Sequence, residues 1–81
     1  MKALVYVNLK KTVLDPQGAT IARALQGMGH PGIADVRQGK FFEIELEGVS
    51  AGEARPLLEK IAEEVLSNPV IEEFRVELLE D

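Results

Sequence analysis

Apolar and polar residues alternate along four stretches of the chain, and this period of two predicts β-strands. The stretches are residues 2–9, 33–38, 41–47 and 71–79. The short connection Gly39-Lys40 separates the second stretch from the third. A glycine-containing link of that length favours a β-hairpin.

Two further stretches repeat their apolar residues with the period of an α-helix. The first begins at Pro16, where Asp15 is placed to cap the free N–H groups of the first turn. Gly29 is a candidate for the left-handed position that ends this helix. Its predicted buried face carries apolar residues four and three positions apart: Ile21, Leu25 and Met28.

The second helix has a capping-box pattern, Ser50-Ala51-Gly52-Glu53, and a broad apolar stripe that extends to Leu66. Pro56 lies beyond the first turn of such a helix and removes a backbone hydrogen bond. Either the helix bends at Pro56 or its regular part begins later. The sequence Ser67-Asn68-Pro69 predicts its end.

The resulting order is strand, helix, strand, strand, helix, strand in a single α+β domain. This order predicts a ferredoxin-like fold, a four-stranded antiparallel sheet with both helices on one face. The opposite face is then open. The apolar side chains Leu4, Tyr6 and Phe41 are predicted to lie on it, which favours self-association through the sheet.

Composition limits the functions of the chain. Its 81 residues make one small domain, and the net charge of −5 opposes binding to a nucleic-acid backbone. The absence of cysteine excludes disulfides and thiol catalysis and fits a reducing cytoplasm. No apolar run is long enough to predict a signal peptide or a membrane span.

Residue patterns typical of catalysis are missing from the sequence. The lone histidine, His30, lies in a Gly-Pro turn without a second metal-binding partner. The strand carboxylates Glu43, Glu45 and Glu47 are typical of a solvated strand face rather than a metal site. No phosphate-binding loop occurs. The chain is therefore predicted to be non-catalytic and to bind neither a cofactor nor a metal.

Several segments, taken together, resemble the PurS family, the small subunit of phosphoribosylformylglycinamidine synthase. The resemblance covers essentially the whole chain in order. The segments are Asn8-Leu9-Lys10, Val13-Leu14-Asp15-Pro16-Gln17-Gly18, Asp35-Val36-Arg37-Gln38-Gly39-Lys40 and Asn68-Pro69-Val70-Ile71-Glu72.

The resemblance implies a place in purine synthesis, where formylglycinamide ribonucleotide is amidated with ATP and glutamine. By this resemblance the chain acts as a dimer that bridges a glutaminase subunit and a synthetase subunit and supports ammonia transfer, and its self-association is expected to give a dimer or a tetramer built from dimers. ATP and magnesium are used by the synthetase subunit. The implied partner contacts are Lys10, Asp15 and Gln17 in the first loop, and Arg37 and Lys40 at the hairpin. The predicted fold allows the first loop and the hairpin turn to lie at opposite ends of the sheet, so we expect two separate contact sites.

Two other classes remain open from the residues alone. ACT-like regulatory modules share the predicted strand order and bind small molecules between subunits. RNA-recognition domains carry strand aromatics comparable to Phe41-Phe42, but the acidic surroundings disfavour them.

Overall fold

The computed structural model describes residues 1–79 and shows an α+β fold with two helices and a three-stranded antiparallel sheet. In chain order the elements are β1 (Lys2–Leu9), α1 (Pro16–Gly27), β2 (Gly39–Glu45), α2 (Ala51–Ile61) and β3 (Glu72–Leu79). A π-helical turn, Ala62–Leu66, continues α2.

The first strand of the chain lies at the centre of the sheet. It pairs with β2 from Lys2 opposite Glu45 to Asn8 opposite Gly39, and with β3 along its whole length. Its alternate residues Ala3, Val5 and Val7 are fully buried under α2. The predicted strand at residues 2–9 and its alternation are therefore confirmed, because the central strand must hide its apolar face.

Helix α2 closes the core with Ala54, Leu58 and the following Ala62, all fully buried. Ser50 caps it as predicted, because its hydroxyl accepts a hydrogen bond from the Glu53 N–H group at 3.3 Å. The helix includes Pro56 and does not begin after it. The π-helical turn that continues it ends at Ser67, whose N–H and hydroxyl groups both donate to the carbonyl oxygen of Ala62.

Helix α1 begins at Pro16 and is followed by Gly29 at a φ of +95°, as predicted. Its predicted buried stripe is largely wrong. Ala22 is buried, but Ile21 is 40% exposed and Met28 is 72% exposed. The reason is that α1 packs on the extended segment 33–38 and not on the sheet: the Gln26 side chain donates to the Ile33 carbonyl oxygen at 2.8 Å.

The predicted strand at residues 33–38 is not formed, and the described residues contain three strands instead of four. The predicted hairpin fails because Gly39 and Lys40 belong to β2 itself and make no turn. No turn is formed between segment 33–38 and β2. A four-stranded ferredoxin-like sheet is therefore not confirmed within one chain.

Residues 10–38, which we call the arm, project from the remaining residues, which we call the body. The described molecule measures 50 × 29 × 13 Å with a radius of gyration of 16.1 Å. A compact chain of this length has a radius of gyration of about 12 Å. We attribute the excess to the arm, because α1 makes few contacts with the strands.

Candidate interaction surfaces

The base of the arm is held by Asp15, a carboxylate that is only 5% exposed. One oxygen accepts from the Gly18 N–H group at 2.9 Å and caps α1. The other accepts from the Gln38 N–H group at 2.7 Å, which ties the start of α1 to the start of β2. Asp15 therefore fixes the direction in which the arm leaves the body.

Arg37 binds the other side of the same junction. Its guanidinium donates to the carbonyl oxygens of Lys10 at 3.0 Å and Val13 at 2.8 Å. The side chains of Gln17 and Gln38 also meet, at 2.6 Å. The sequence did not indicate a structural role for Arg37, because its partners Lys10 and Val13 are 27 and 24 residues away in the chain.

The first loop and the predicted hairpin residues therefore form one site, which we call the junction, and the expectation of two separate sites is wrong. Lys40 completes it, with its ammonium group 3.8 Å from Glu72. A cleft of about 270 Å³ opens between them. Its lining includes four of these polar side chains: Asp15, Gln17, Gln38 and Lys40.

The sheet face opposite α2 carries the three predicted apolar residues side by side. Tyr6 lies directly across from Phe41, and their rings stack with centroids 6.0 Å apart. On the other flank the Arg75 guanidinium lies 4.3 Å from the Tyr6 ring centre. Leu4 is half-buried beside them, while Phe41 is 59% exposed. We call this surface the open face.

Acid is expected to weaken the junction through Asp15. The hydrogen bond from the Gln38 N–H group, followed by that from Gly18, lowers the pKa of Asp15 below its ordinary value of 3.8. A lowered folded-state pKa gives stability that is complete above the unfolded value and is lost as pH falls through the folded one. We therefore expect this contribution to disappear below pH 3.8.

The measurement compares thermal midpoints of the wild type and Asp15→Asn across the acidic range. The gap between them should be widest near neutral pH and should narrow below pH 3.8. The other carboxylates are present in both proteins, so their titration cancels in the difference between the two thermal midpoints. A gap that stays constant down to low pH would contradict the role of the charged carboxylate.

Within residues 1–79 no group of three histidine, aspartate or glutamate side chains is placed to hold a metal ion. No described helix has the length and apolar character that crossing a membrane requires. The surfaces that remain are the junction, the open face and the exposed side of the arm.

The chain is similar to known proteins over nearly its whole length. The PurS family, described as phosphoribosylformylglycinamidine (FGAM) synthase, matches residues 2–80. The PurS subunit of Mycobacterium leprae is 47% identical over 75 residues, which are 93% of this chain and 91% of that one. The Bacillus subtilis subunit is 42% identical, over 98% and 93% of the two chains.

Solved structures agree with this similarity. A crystal structure of Bacillus subtilis PurS superposes with a TM-score of 0.86 and covers 98% of each chain. A chain in the structure of PurLQS from Thermotoga maritima gives a TM-score of 0.87 at 35% identity, covering 96% of this chain and 95% of that one. The projecting arm therefore belongs to a fold that solved relatives share.

Proposed function

Because this chain belongs to the PurS family, we propose that it is the small, non-catalytic subunit of a cytoplasmic phosphoribosylformylglycinamidine synthase. The observation that carries the proposal is similarity along the whole chain, including similarity to a chain of the Thermotoga maritima PurLQS structure. In this complex the chain bridges a glutaminase subunit and a synthetase subunit and supports the transfer of ammonia between them. The synthetase subunit uses the ATP and magnesium.

Two features of the structure support a bridging role. The junction and the open face lie on different parts of the molecule and differ in chemistry, one polar and one aromatic. The junction is the candidate contact with another subunit, through Lys10, Gln17 and Lys40. Asp15 and Arg37 act there mainly by holding the loops in place.

The open face supports self-association. The exposed Phe41 ring, stacked on the half-buried Tyr6 beside a half-buried leucine, is a surface that a second copy of the chain would cover. We propose that Leu4, Tyr6 and Phe41 contact a second copy and thereby build dimers or tetramers.

The bridging proposal is tested by reconstitution with the two larger subunits. Lys40→Ala should weaken assembly by about 1.5–3 kcal/mol if the ammonium group makes a charge-assisted hydrogen bond to a partner. The free energy of unfolding of the isolated chain should change by less than about 1 kcal/mol, because the Lys40 side chain is half exposed and its ammonium group lies 3.8 Å from Glu72. Glutamine-dependent synthesis is measured while the concentration of the small subunit is varied.

The matched control is Lys60→Ala, which removes an exposed lysine on α2, far along the chain from the junction. It should assemble like the wild type. If Lys40→Ala also assembles like the wild type, the junction lysine is an ordinary solvated charge. If no variant and no wild-type chain supports synthesis with the two larger subunits, the proposed function itself is wrong.

The isolated chain is expected to hydrolyse neither glutamine nor ATP, because the sequence holds no nucleophile with an adjacent base and no phosphate loop. Ammonia and phosphate release are measured on the chain purified alone. Turnover that a point mutation in this chain abolishes would contradict the non-catalytic role.

A further inference from the structure

The cleft at the junction contains an ion pair that does not close. The Lys40 ammonium group and the Glu72 carboxylate are 3.8 Å apart. A charge-assisted hydrogen bond between such groups is about 2.7–2.9 Å long, so both groups keep hydrogen-bonding capacity for a ligand. They offer one positive and one negative group side by side. A molecule with a carboxylate next to an ammonium group is complementary to this pair.

The same cleft contains a pair of carboxamides, those of Gln17 and Gln38. The Gln38 side-chain nitrogen donates to the Gln17 side-chain oxygen at 2.6 Å. A carboxamide has one acceptor oxygen and an NH₂ group with two donors. The NH₂ group of Gln17 and the oxygen of Gln38 therefore remain to bind another group. One donor beside one acceptor is complementary to a further carboxamide.

The size and lining of the cleft limit what it can bind. Its volume of about 270 Å³ is close to the lower end, about 300 Å³, of the range for small-molecule sites, which suits a ligand of the size of an amino acid. Val7 and Leu9 line it with apolar surface that a short carbon chain can contact. Asp15 and Glu72 outnumber Lys40, so the charged lining sums to −1 and disfavours an anion.

We propose that this cleft binds a free α-amino acid whose side chain ends in a carboxamide. The α-carboxylate accepts hydrogen bonds from Lys40, and the α-ammonium group donates to Glu72. The side-chain carboxamide accepts from Gln17 and donates to Gln38. Every polar group of the ligand then has a partner of the opposite kind.

Glutamine and asparagine share this chemistry. Glutamine is the amide donor of the reaction proposed above, so the choice of glutamine as the natural ligand rests on the proposed function. The existence of the site does not depend on it, because the four polar groups belong to this chain alone.

Binding is expected to hold the arm to the body. Gln17 and Gln38 belong to the arm, whereas Lys40 and Glu72 belong to the body. A ligand that contacts both pairs joins the two parts at the base of the arm. Glutamine would thereby bias the position of the arm, and with it any subunit that contacts the junction.

The first test is a titration of the full-length chain, purified alone, with glutamine, asparagine, glutamate and alanine, followed by the NMR signals of its backbone amides. Glutamine should shift the signals of the junction in a saturable way. Glutamate cannot donate to Gln38 and is repelled by Asp15, so its dissociation constant should be at least about tenfold higher. Alanine, which has only the zwitterionic end, should also bind at least about tenfold more weakly.

No saturable shift with glutamine or asparagine would overturn the proposal, and so would equal binding of glutamine and glutamate. Tighter binding of asparagine than of glutamine would overturn the choice of glutamine as the natural ligand.

The second test changes one group of each pair. Gln38→Ala removes the carboxamide but keeps the backbone N–H group that binds Asp15. Glu72→Gln removes the negative charge with little change of shape. Each should raise the dissociation constant for glutamine at least about tenfold. Glu73→Gln is the matched control, because the adjacent exposed glutamate points to the other face of β3, and it should bind like the wild type.

Equal binding by Glu72→Gln and Glu73→Gln would contradict the site. Native-state proteolysis provides a second measurement, since glutamine should slow cleavage within residues 10–38 of the wild type and not of Glu72→Gln. Cleavage that glutamine does not change would show that the ligand does not join the arm to the body.

The outcome is distinguishable from the fate of the proposed function. Binding is measured on the isolated chain, whereas synthesis is measured with the two larger subunits. A chain that supports synthesis and binds no glutamine overturns this inference alone. A chain that binds glutamine and never supports synthesis overturns the proposed function and leaves the site.

Discussion

Leu58→Ala is expected to lower the free energy of unfolding by about 2–5 kcal/mol, a large share of the stability of so small a domain. Leu58 is the largest of the fully buried side chains and lies on α2 against the central strand. Its removal costs the transfer of the side chain from water and leaves a cavity that the flanking alanines, Ala54 and Ala62, cannot fill.

The neighbouring Leu57 is the matched control, because it has the same side chain on the same helix but is 40% exposed. Leu57→Ala should cost clearly less. Both are measured by urea unfolding at one fixed chain concentration, since self-association changes the apparent stability. Equal losses would mean that Leu57 is buried by another copy or that Leu58 is not at the centre of the core.

Gly18→Ala is expected to cost about 1–3 kcal/mol or more, although alanine favours a helix over glycine. A methyl group at residue 18 would overlap the carbonyl oxygen of Val36 and come within 2.9 Å of the Asp15 carboxylate. Backbone atoms cannot move aside without separating α1 from segment 33–38. The arm should therefore loosen.

Gly27 is the control in the same helix, since no atom lies within 4 Å of the place of its missing methyl group. Gly27→Ala should leave stability unchanged or raise it by about 0.5–1 kcal/mol. Proteolysis of the arm under native conditions separates the two variants, because only Gly18→Ala should expose it. A stabilised Gly18→Ala variant would show that the close approach of Gly18 to Val36 is not kept in solution.

The sequence correctly predicted the features that depend on residues close together in the chain. The alternation in residues 2–9, the cap at Ser50 and the left-handed Gly29 depend on near neighbours in the chain, and all three are confirmed. Three of the four predicted strands exist for the same reason.

The position of the arm could not be predicted in this way. The apolar stripe of α1 correctly predicted a helix, but periodicity cannot tell whether that stripe packs against the rest of the same chain, and Ile21 and Met28 are exposed. Likewise, Gly39-Lys40 is as compatible with a straight strand as with a turn. The hydrogen bonds of Arg37 to Lys10 and Val13 join residues that no spacing rule connects.

The position of β1 has a consequence for how the protein is made. Of the three described strands, the central one is synthesised first, and its Lys2 pairs with Leu79 of the strand that is synthesised last. Closing a loop of that length carries a large entropy cost before any pairing is gained, so folding is slowed by topology. The sheet is therefore incomplete until β3 has been synthesised, and a nascent chain that stops before β3 leaves both Val5 and Val7 without their second neighbouring strand.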